Sequence, residues 1–326
     1  MNRELLNILC CPLTHKRFRL EKSLEKNGGI ESGLLTTEDG KQYPISQGIP
    51  RFVPKENYAT SFGFQWNRFR ETQLDSHTGV PVSRDRFCKS TEWSPDDLKG
   101  KTVLEVGCGA GRFTEILLTA GAIVVALDYS NAVDACWKNH YLHPNLNVVQ
   151  GDIYNLPFQE GSFDFVFCFG VLQHTPNVKK AFMSLPPQLK KGGHLAVDVY
   201  RKRLRMIFWS KYWVRPFTCR MEPIRLFKMV EKWVPVLLPI SIFIGRIPFV
   251  GRKLRYLIPV ANYDGIFPLT NNQILEWAIL DTFDMLSPVY DQPQSAATLY
   301  SWLKEAGMVD IKVFHPAHLV GQGRKP

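Results

Sequence analysis

The feature that most constrains this chain is an apolar run of strand length that empties into a glycine-rich turn: residues 103–113 read VLEVGCGAGRF. Val103, Leu104 and Val106 read as a buried strand. Gly107, Gly109 and Gly111 then allow a tight turn and close backbone approach to a ligand at the start of a helix. From residue 101 onward, the apolar runs KTVLEVG, IVVALDYS, LNVVQGD, FDFVFCFG and HLAVDVY alternate with segments of helical length. That alternation predicts a parallel sheet covered by helices. Near the end, TLYSWLKEAG reads as a helix stopped at Gly307, and VDIKVFHP and AHLVGQGRK read as two closing strands.

The fold class expected is α/β: a Rossmann-like seven-stranded sheet, a small β-rich module before it and a helical insertion after the fifth strand. Residues 1–57 have short β-like runs punctuated by Gly and Pro, and 58–100, rich in aromatics and charge, read as lid or linker helices. Residues 101–200 form the sheet core, 201–296 the insertion, and 297–326 the final helix and strands. The 326 residues suffice for one large domain with a small appendage. Seven scattered cysteines are the wrong pattern for a disulfide framework. The N-terminus has no apolar run of signal-peptide length, so a cytoplasmic location is expected.

Around the glycine turn, Glu105 suits a ligand with a cationic amino-acid end. Arg112 stands where a dinucleotide fingerprint wants a small residue, which disfavours a pyrophosphate. S-adenosylmethionine has the required end. Asp128, closing the strand IVVAL, can accept hydrogen bonds from two ribose hydroxyls. Asp152 ends the next strand, in GDIYNLPF, near an adenine amino group, with Ile153 packing on the ring. An Asp after a strand is also a common helix cap.

Here VLEVGCGAGRF, ALDYS, GDIYNLPF, FDFVFCFGVLQHT and LKKGGHLAV resemble the class I S-adenosylmethionine-dependent methyltransferases, in particular the branch of the ubiquinone and menaquinone methyltransferases. The resemblance implies cofactor contacts from Glu105, Gly107, Gly109, Gly111, Asp128, Asp152 and Ile153, with Phe169 lining the methionine end. Separately, LLNILCCPLTHKRF and YPISQGIPRFVP resemble the zinc-ribbon family of methyltransferase activators. That family carries Cys-x-x-Cys pairs, whereas here Cys10, Cys11 and His15 are too few for a closed zinc site, so no metal is expected.

Methyl transfer needs alignment more than special residues, and a base only when the acceptor must lose a proton. His174, just beyond the fourth strand, is the first candidate base, since an imidazole exchanges protons near neutral pH; a helix-capping histidine is the alternative. Asp198 and Tyr200, at the end of the fifth strand, are the second choices. LDTFDMLSPVYDQPQ (280–294) gathers Asp281, Asp284, Tyr290 and Asp291 as a candidate substrate wall, with a structural Ω-loop as the alternative.

Residues 201–256 hold 14 Lys/Arg against two acids, a local net charge of +12, so the remainder carries −2. Arg201, Lys202, Arg203 and Arg205 open this segment, and large aromatics follow. The uncharged run from Val234 to Gly245 is too short, and too interrupted by Pro235 and Pro239, to span a bilayer. The composition suits a segment lying on an anionic membrane, with a nucleic-acid surface or a packed lid as alternatives. The function expected is therefore methylation of a small or lipid-linked acceptor, with peripheral contact at the inner face of the membrane. RNA methylation, and cofactor binding without chemistry, are the competing readings.

Overall fold

Residues 1–26, 28–54, 57–203 and 209–326 are described by the structure, a computed structural model; Arg205 lies outside them. In the first fifty residues four antiparallel strands pair in chain order: β1 (Arg19–Lys26), β2 (Gly29–Thr36), β3 (Gln42–Ser46) and β4 (Ile49–Pro50). Their inward side chains Ile30, Leu35 and Ile45 share one core with Leu104, Val106 and Leu127 of the main sheet. Arg51 fastens the module, with Nη2 2.7 Å from Asp134 Oδ1 and Nη1 donating to Gln150 Oε1. Cys10 and Cys11 are buried, and Cys11 Sγ lies 3.5 Å from Tyr43 Oη within a cluster of Phe18, Tyr43 and Phe52 rings. Burial pushes the Cys10 thiol up to about 11, which makes it a packing residue and a poor nucleophile.

Four helices follow: α1 (Thr60–Arg68), α2 (Asp75–Thr78), α3 (Val82–Thr91) and α4 (Pro95–Leu98). Ser94 and Asp97 form a reciprocal capping box at the start of α4. The central α/β unit runs through β5 (Thr102–Val106), α5 (Arg112–Thr119), β6 (Ile123–Asp128), α6 (Ala132–His140), β7 (Leu146–Gln150), β8 (Phe163–Cys168), α7 (Val178–Met183) and β9 (Leu189–Val199). The insertion contributes α8 (Ser210–Thr218), α9 (Pro223–Gly245), α10 (Gly251–Leu254) and α11 (Asn271–Leu286). The chain closes with α12 (Ala296–Glu305), β10 (Val309–Phe314) and β11 (Leu319–Arg324). Gly307 adopts φ +70 just past α12, the left-handed stop that its sequence position predicts.

The seven-stranded sheet has the order β10-β11-β9-β8-β5-β6-β7, with β11 antiparallel to both neighbours and β5 to β9 mutually parallel. The order in which the strands are laid down reverses between β5 and β8, which are parallel. That switch point opens a crevice at the carboxyl ends of the strands, where α/β sheets bind ligands.

Two sequence readings need correction. Residues 280–286 are the last two turns of α11 and not a loop: Ile274, Trp277, Ala278, Leu280, Phe283 and Leu286 are buried around the helix, and Asp281 and Asp284 lie one turn apart on the side of Trp277. Pro235 and Pro239 do not interrupt α9, whose inner stripe of Leu226, Phe227, Val230, Val234 and Leu238 packs into the same cluster as α11. An interior proline costs about 3 kcal/mol, and burial of five large apolar side chains at about 1.5–3 kcal/mol each outweighs two of them. Among the described residues no helix is long and apolar enough to cross a membrane.

Candidate functional site

Gly107 and Cys108 donate their amides to Leu127 O on β6, so the turn after β5 is pinned beside the switch point. Gly107 has φ +84, and a Cβ there would fall 2.0 Å from Val171 Cγ2. Gly111, at φ +90, would put a Cβ 2.7 Å from the His140 ring. Glycine is therefore required at both, though for different neighbours. Gly111 serves the packing of α5 on α6 and does not line the cavity described next.

A cavity of about 1010 Å³ lies between this edge of the sheet, the lid helices α1 and α3, and the insertion. Its size is at the upper end for small-molecule sites and leaves room for two molecules side by side. At one end it is lined by Gly107, Gly109, Asp128, Ile153, Phe169 and the rings of Tyr58, Trp66 and Tyr129. Asp128 Oδ2 accepts from Gly109 N at 3.0 Å, and Oδ1 accepts from Ser130 N and Oγ, both at 2.8 Å. The Tyr129 backbone is also directed at this carboxylate, so a ligand hydroxyl would share its oxygens with donors of the protein. Burial raises the Asp128 carboxyl against the pull of these donors.

Glu105 and Asp152 do not line the cavity. Glu105 is fully buried and accepts from Thr114 Oγ1 at 2.5 Å, tying β5 to α5; burial pushes it up to about 8. Asp152 Oδ1 accepts from Tyr154 N at 2.9 Å, an Asx turn after β7. Arg112 is also tied inward. Its Nε donates to Ser83 Oγ and its Nη1 to Gln73 Oε1, with the guanidinium over the rings of Phe113 and Trp277. Burial, followed by the neighbouring Arg86, lowers it to about 10. A carboxylate, backbone groups and aromatic walls at this end, with the guanidinium of Arg112 engaged by Ser83 and Gln73, suit a nucleoside with a zwitterionic tail better than a pyrophosphate. Gly107, Gly109, Asp128, Ile153 and Phe169 could thus hold S-adenosylmethionine.

Beyond the cofactor end, His174 occupies a 3-10 turn (Leu172–His174) after β8, its ring 5.4 Å from both Phe62 and Tyr200. Its Nδ1 lies 2.9 Å from Tyr290 O. A carbonyl only accepts, so Nδ1 carries the hydrogen and Nε2 carries the lone pair. Among the described residues that Nε2 has no hydrogen-bond partner, and it is buried in a residue that lines the cavity. Asp198 is differently placed: Oδ2 accepts from Arg86 Nη2 at 2.8 Å and Oδ1 from Gly170 N at 2.5 Å, and it does not line the cavity. It anchors α3 to the turn after β8. Tyr200 lines the cavity, and burial pushes its phenol far above the usual range, so it stays protonated.

Asp281, Asp284 and Asp291 line the cavity, whereas Tyr290 reaches the site through its carbonyl. Asp281 accepts from Gln73 Nε2 at 3.2 Å and from Tyr263 Oη. Burial, with Asp284 beside it, pushes Asp281 up to about 6. Because the folded pKa lies above the unfolded value of about 3.9, the associated stability is full below pH ~4 and lost as pH rises through ~6. Asp281→Asn should therefore raise stability by about 1–3 kcal/mol at pH 7.5 and by much less at pH 4. Thermal melts at the two pH values read this, and an equal gain at both would contradict it. Sequence reasoning did not single out Tyr58, Trp66, Arg86 or Tyr129 as site residues. Only the aromatic richness of 58–100 hinted at the first two.

Residues 104–197 match the family described as "Methyltransferase domain". Curated relatives include a ubiquinone biosynthesis O-methyltransferase of Coxiella burnetii, 32% identical over 115 residues, 35% of this chain and 49% of that protein. Another is the phthiotriol/phenolphthiotriol dimycocerosates methyltransferase of Mycobacterium leprae, 38% identical over 117 residues, 35% of this chain and 43% of that protein. The chain spans about half the length of the first curated relatives it matches. Among solved structures, the magnesium protoporphyrin IX methyltransferase of Synechocystis aligns with TM-score 0.43 and 17% identity over 82% of this chain and 97% of that one. A SAM-dependent methyltransferase of Aquifex aeolicus aligns with TM-score 0.42 and 14% identity over 83% and 98%.

Proposed function

We propose that this chain, whose residues 104–197 belong to the class I S-adenosylmethionine-dependent methyltransferases, methylates an oxygen or nitrogen of an amphiphilic, lipid-linked or small acceptor held against the insertion. The observation that carries the proposal is the unpartnered Nε2 of His174 at the cavity wall, with its tautomer fixed by Tyr290 O. S-adenosylmethionine, when bound, supplies an electrophilic methyl group on sulfur. His174 Nε2 takes the proton that the acceptor must lose, and the imidazolium that results keeps its Nδ1–H on Tyr290 O. Asp281, Asp284 and Asp291 offer acceptors for hydroxyl or amine groups of the acceptor molecule, and Tyr200 closes the wall beside His174. Lid helices α1 and α3 and the insertion exclude water from this step.

Peripheral membrane contact belongs to the same reading. The outward face of α9 exposes Trp233, Val236, Ile240 and Phe243 at helical spacing, and the fully exposed Phe249 follows. Arg225, Lys228 and Lys232 are exposed beside this stripe. Tyr256 and Ile266 are both exposed and part of the cavity lining, so the wall of the cavity reaches the surface within the insertion. Apolar side chains flanked by cations match an anionic lipid surface.

The test supplies methyl-labelled S-adenosylmethionine with total lipid extract or total RNA, and pairs it with sedimentation on vesicles of anionic and zwitterionic lipid. Label is expected in the lipid fraction, and anionic vesicles should pull the protein down. The double variant Trp233→Glu, Phe243→Glu should reduce that sedimentation about tenfold or more. Label confined to RNA would overturn the acceptor reading, and indifference to anionic vesicles would overturn the membrane contact.

A further inference from the structure

One face of α8 presents Lys211, Arg215 and Thr218 at positions i, i+4 and i+7, and these reach the last turn of α11 and the segment that follows it. Arg215 Nη1 donates to Met285 O at 3.0 Å and Nη2 to Pro288 O at 2.9 Å, while its Nε lies 3.8 Å from Asp291 Oδ2. Thr218 Oγ1 donates to Leu286 O at 2.9 Å, and Lys211 Nζ to Asp291 Oδ2 at 3.0 Å. Carbonyls at the C-terminal end of a helix lack intrahelical partners, so a buried guanidinium both satisfies them and fixes how the chain leaves the helix. The segment so held then runs beside the 3-10 turn: Tyr290 O accepts from His174 Nδ1, Gln292 N donates to Gln173 O at 2.9 Å, and Gln292 Nε2 donates to Thr175 O at 2.8 Å.

We infer that Arg215, on the reading of His174 as the base, is a positioning residue that sets the tautomer of His174 through the carbonyl of Tyr290. Arg215 is buried, and the side chain of Asp291 beside it is 3% exposed. A buried ion pair of this kind contributes little net stability, since desolvation offsets the attraction, but it fixes geometry. The fork of a guanidinium is needed: it bonds two carbonyls three residues apart and faces a carboxylate with its third nitrogen, whereas an ammonium cannot span them. Residues 285–291 thereby become a rigid strut between the insertion and the turn after β8. If the strut relaxes, the Tyr290 carbonyl no longer favours hydrogen on Nδ1, and the lone pair leaves the cavity side of the ring.

The experiment uses the full chain labelled with 15N-histidine, with no acceptor present. Long-range proton–nitrogen spectra read each ring's tautomer, and His174→Gln assigns the signal. Wild type should show the Nδ1–H form at His174. In Arg215→Lys the Nε2–H form should rise about fivefold, the factor that corresponds to one weakened hydrogen bond. Affinity for S-adenosylhomocysteine, measured by calorimetry, should stay within about twofold. Thr218→Ala, a milder change that guards against loss of folding in the first variant, should shift the tautomer in the same direction by less. Wild-type spectra in both folded variants would overturn the inference, as would an Nε2–H form in the wild type. A shifted tautomer in Arg215→Lys together with normal turnover in His174→Ala would leave the positioning role standing and remove only the role of His174 as base.

Discussion

His174→Ala is expected to lower methyl transfer to the lipid-extract acceptor by about 10²–10⁴-fold, the usual worth of a positioned general base, while affinity for S-adenosylhomocysteine stays near wild type. The split follows from the geometry. Nδ1 is committed to Tyr290 O and, among the described residues, Nε2 has no hydrogen-bond partner, as the proposed base requires. The residues proposed to hold the cofactor, Asp128, Ile153 and the glycine turn, do not include this ring. Single-turnover rates with saturating cofactor separate the chemical step from binding. A folded His174→Ala variant that turns over at the wild-type rate would reduce His174 to a wall residue.

Asp128→Ala should weaken S-adenosylhomocysteine binding about 10- to 100-fold, which corresponds to roughly 1.5–3 kcal/mol for hydrogen bonds to a charged acceptor. Part of that loss comes from the ligand's hydroxyls. Another part comes from the glycine turn, because the same carboxylate holds Gly109 N and Ser130 N in place. Asp152→Ala supplies the contrast: its carboxylate caps Tyr154 N and does not line the cavity, so its effect should be within about threefold. Calorimetry on both variants decides the assignment. Equal losses, or a larger loss at Asp152, would move the cofactor's polar contacts away from Asp128.

Much of the fold was legible because its signals are local. Each strand of the parallel sheet is a run of apolar residues bounded by turn signals, and Gly307 marks the end of α12 by the one backbone conformation glycine adopts cheaply. The glycine turn after β5 could be placed for the same reason. Where local rules failed, tertiary packing had overridden them. Prolines 235 and 239 read as breaks, yet α9 is continuous because its inner stripe is buried against α11. The carboxylates of 280–294 read as a substrate wall with an Ω-loop as the alternative, and Asp281 and Asp284 ride instead on a helix buried at Ile274, Trp277, Ala278, Phe283 and Leu286.

The sequence by itself determined the α/β class, the strand positions, the glycine turn and the candidate set that includes Asp128 and His174, since each of these depends on residues within one or two turns of one another. Only the tertiary structure decided where those candidates sit and what they touch. Glu105 and Asp152 were expected at the cofactor, but Glu105 is spent on Thr114 inside the core and Asp152 on its own turn. Asp198, a candidate base, is neutralised by Arg86 from a lid helix 112 residues earlier in the chain. His174 is given its tautomer by a carbonyl 116 residues later. A proton's position on an imidazole, or a carboxylate's freedom to meet a ligand, depends on the nearest donors and acceptors in space, and separations of that length leave no periodicity in the sequence to read.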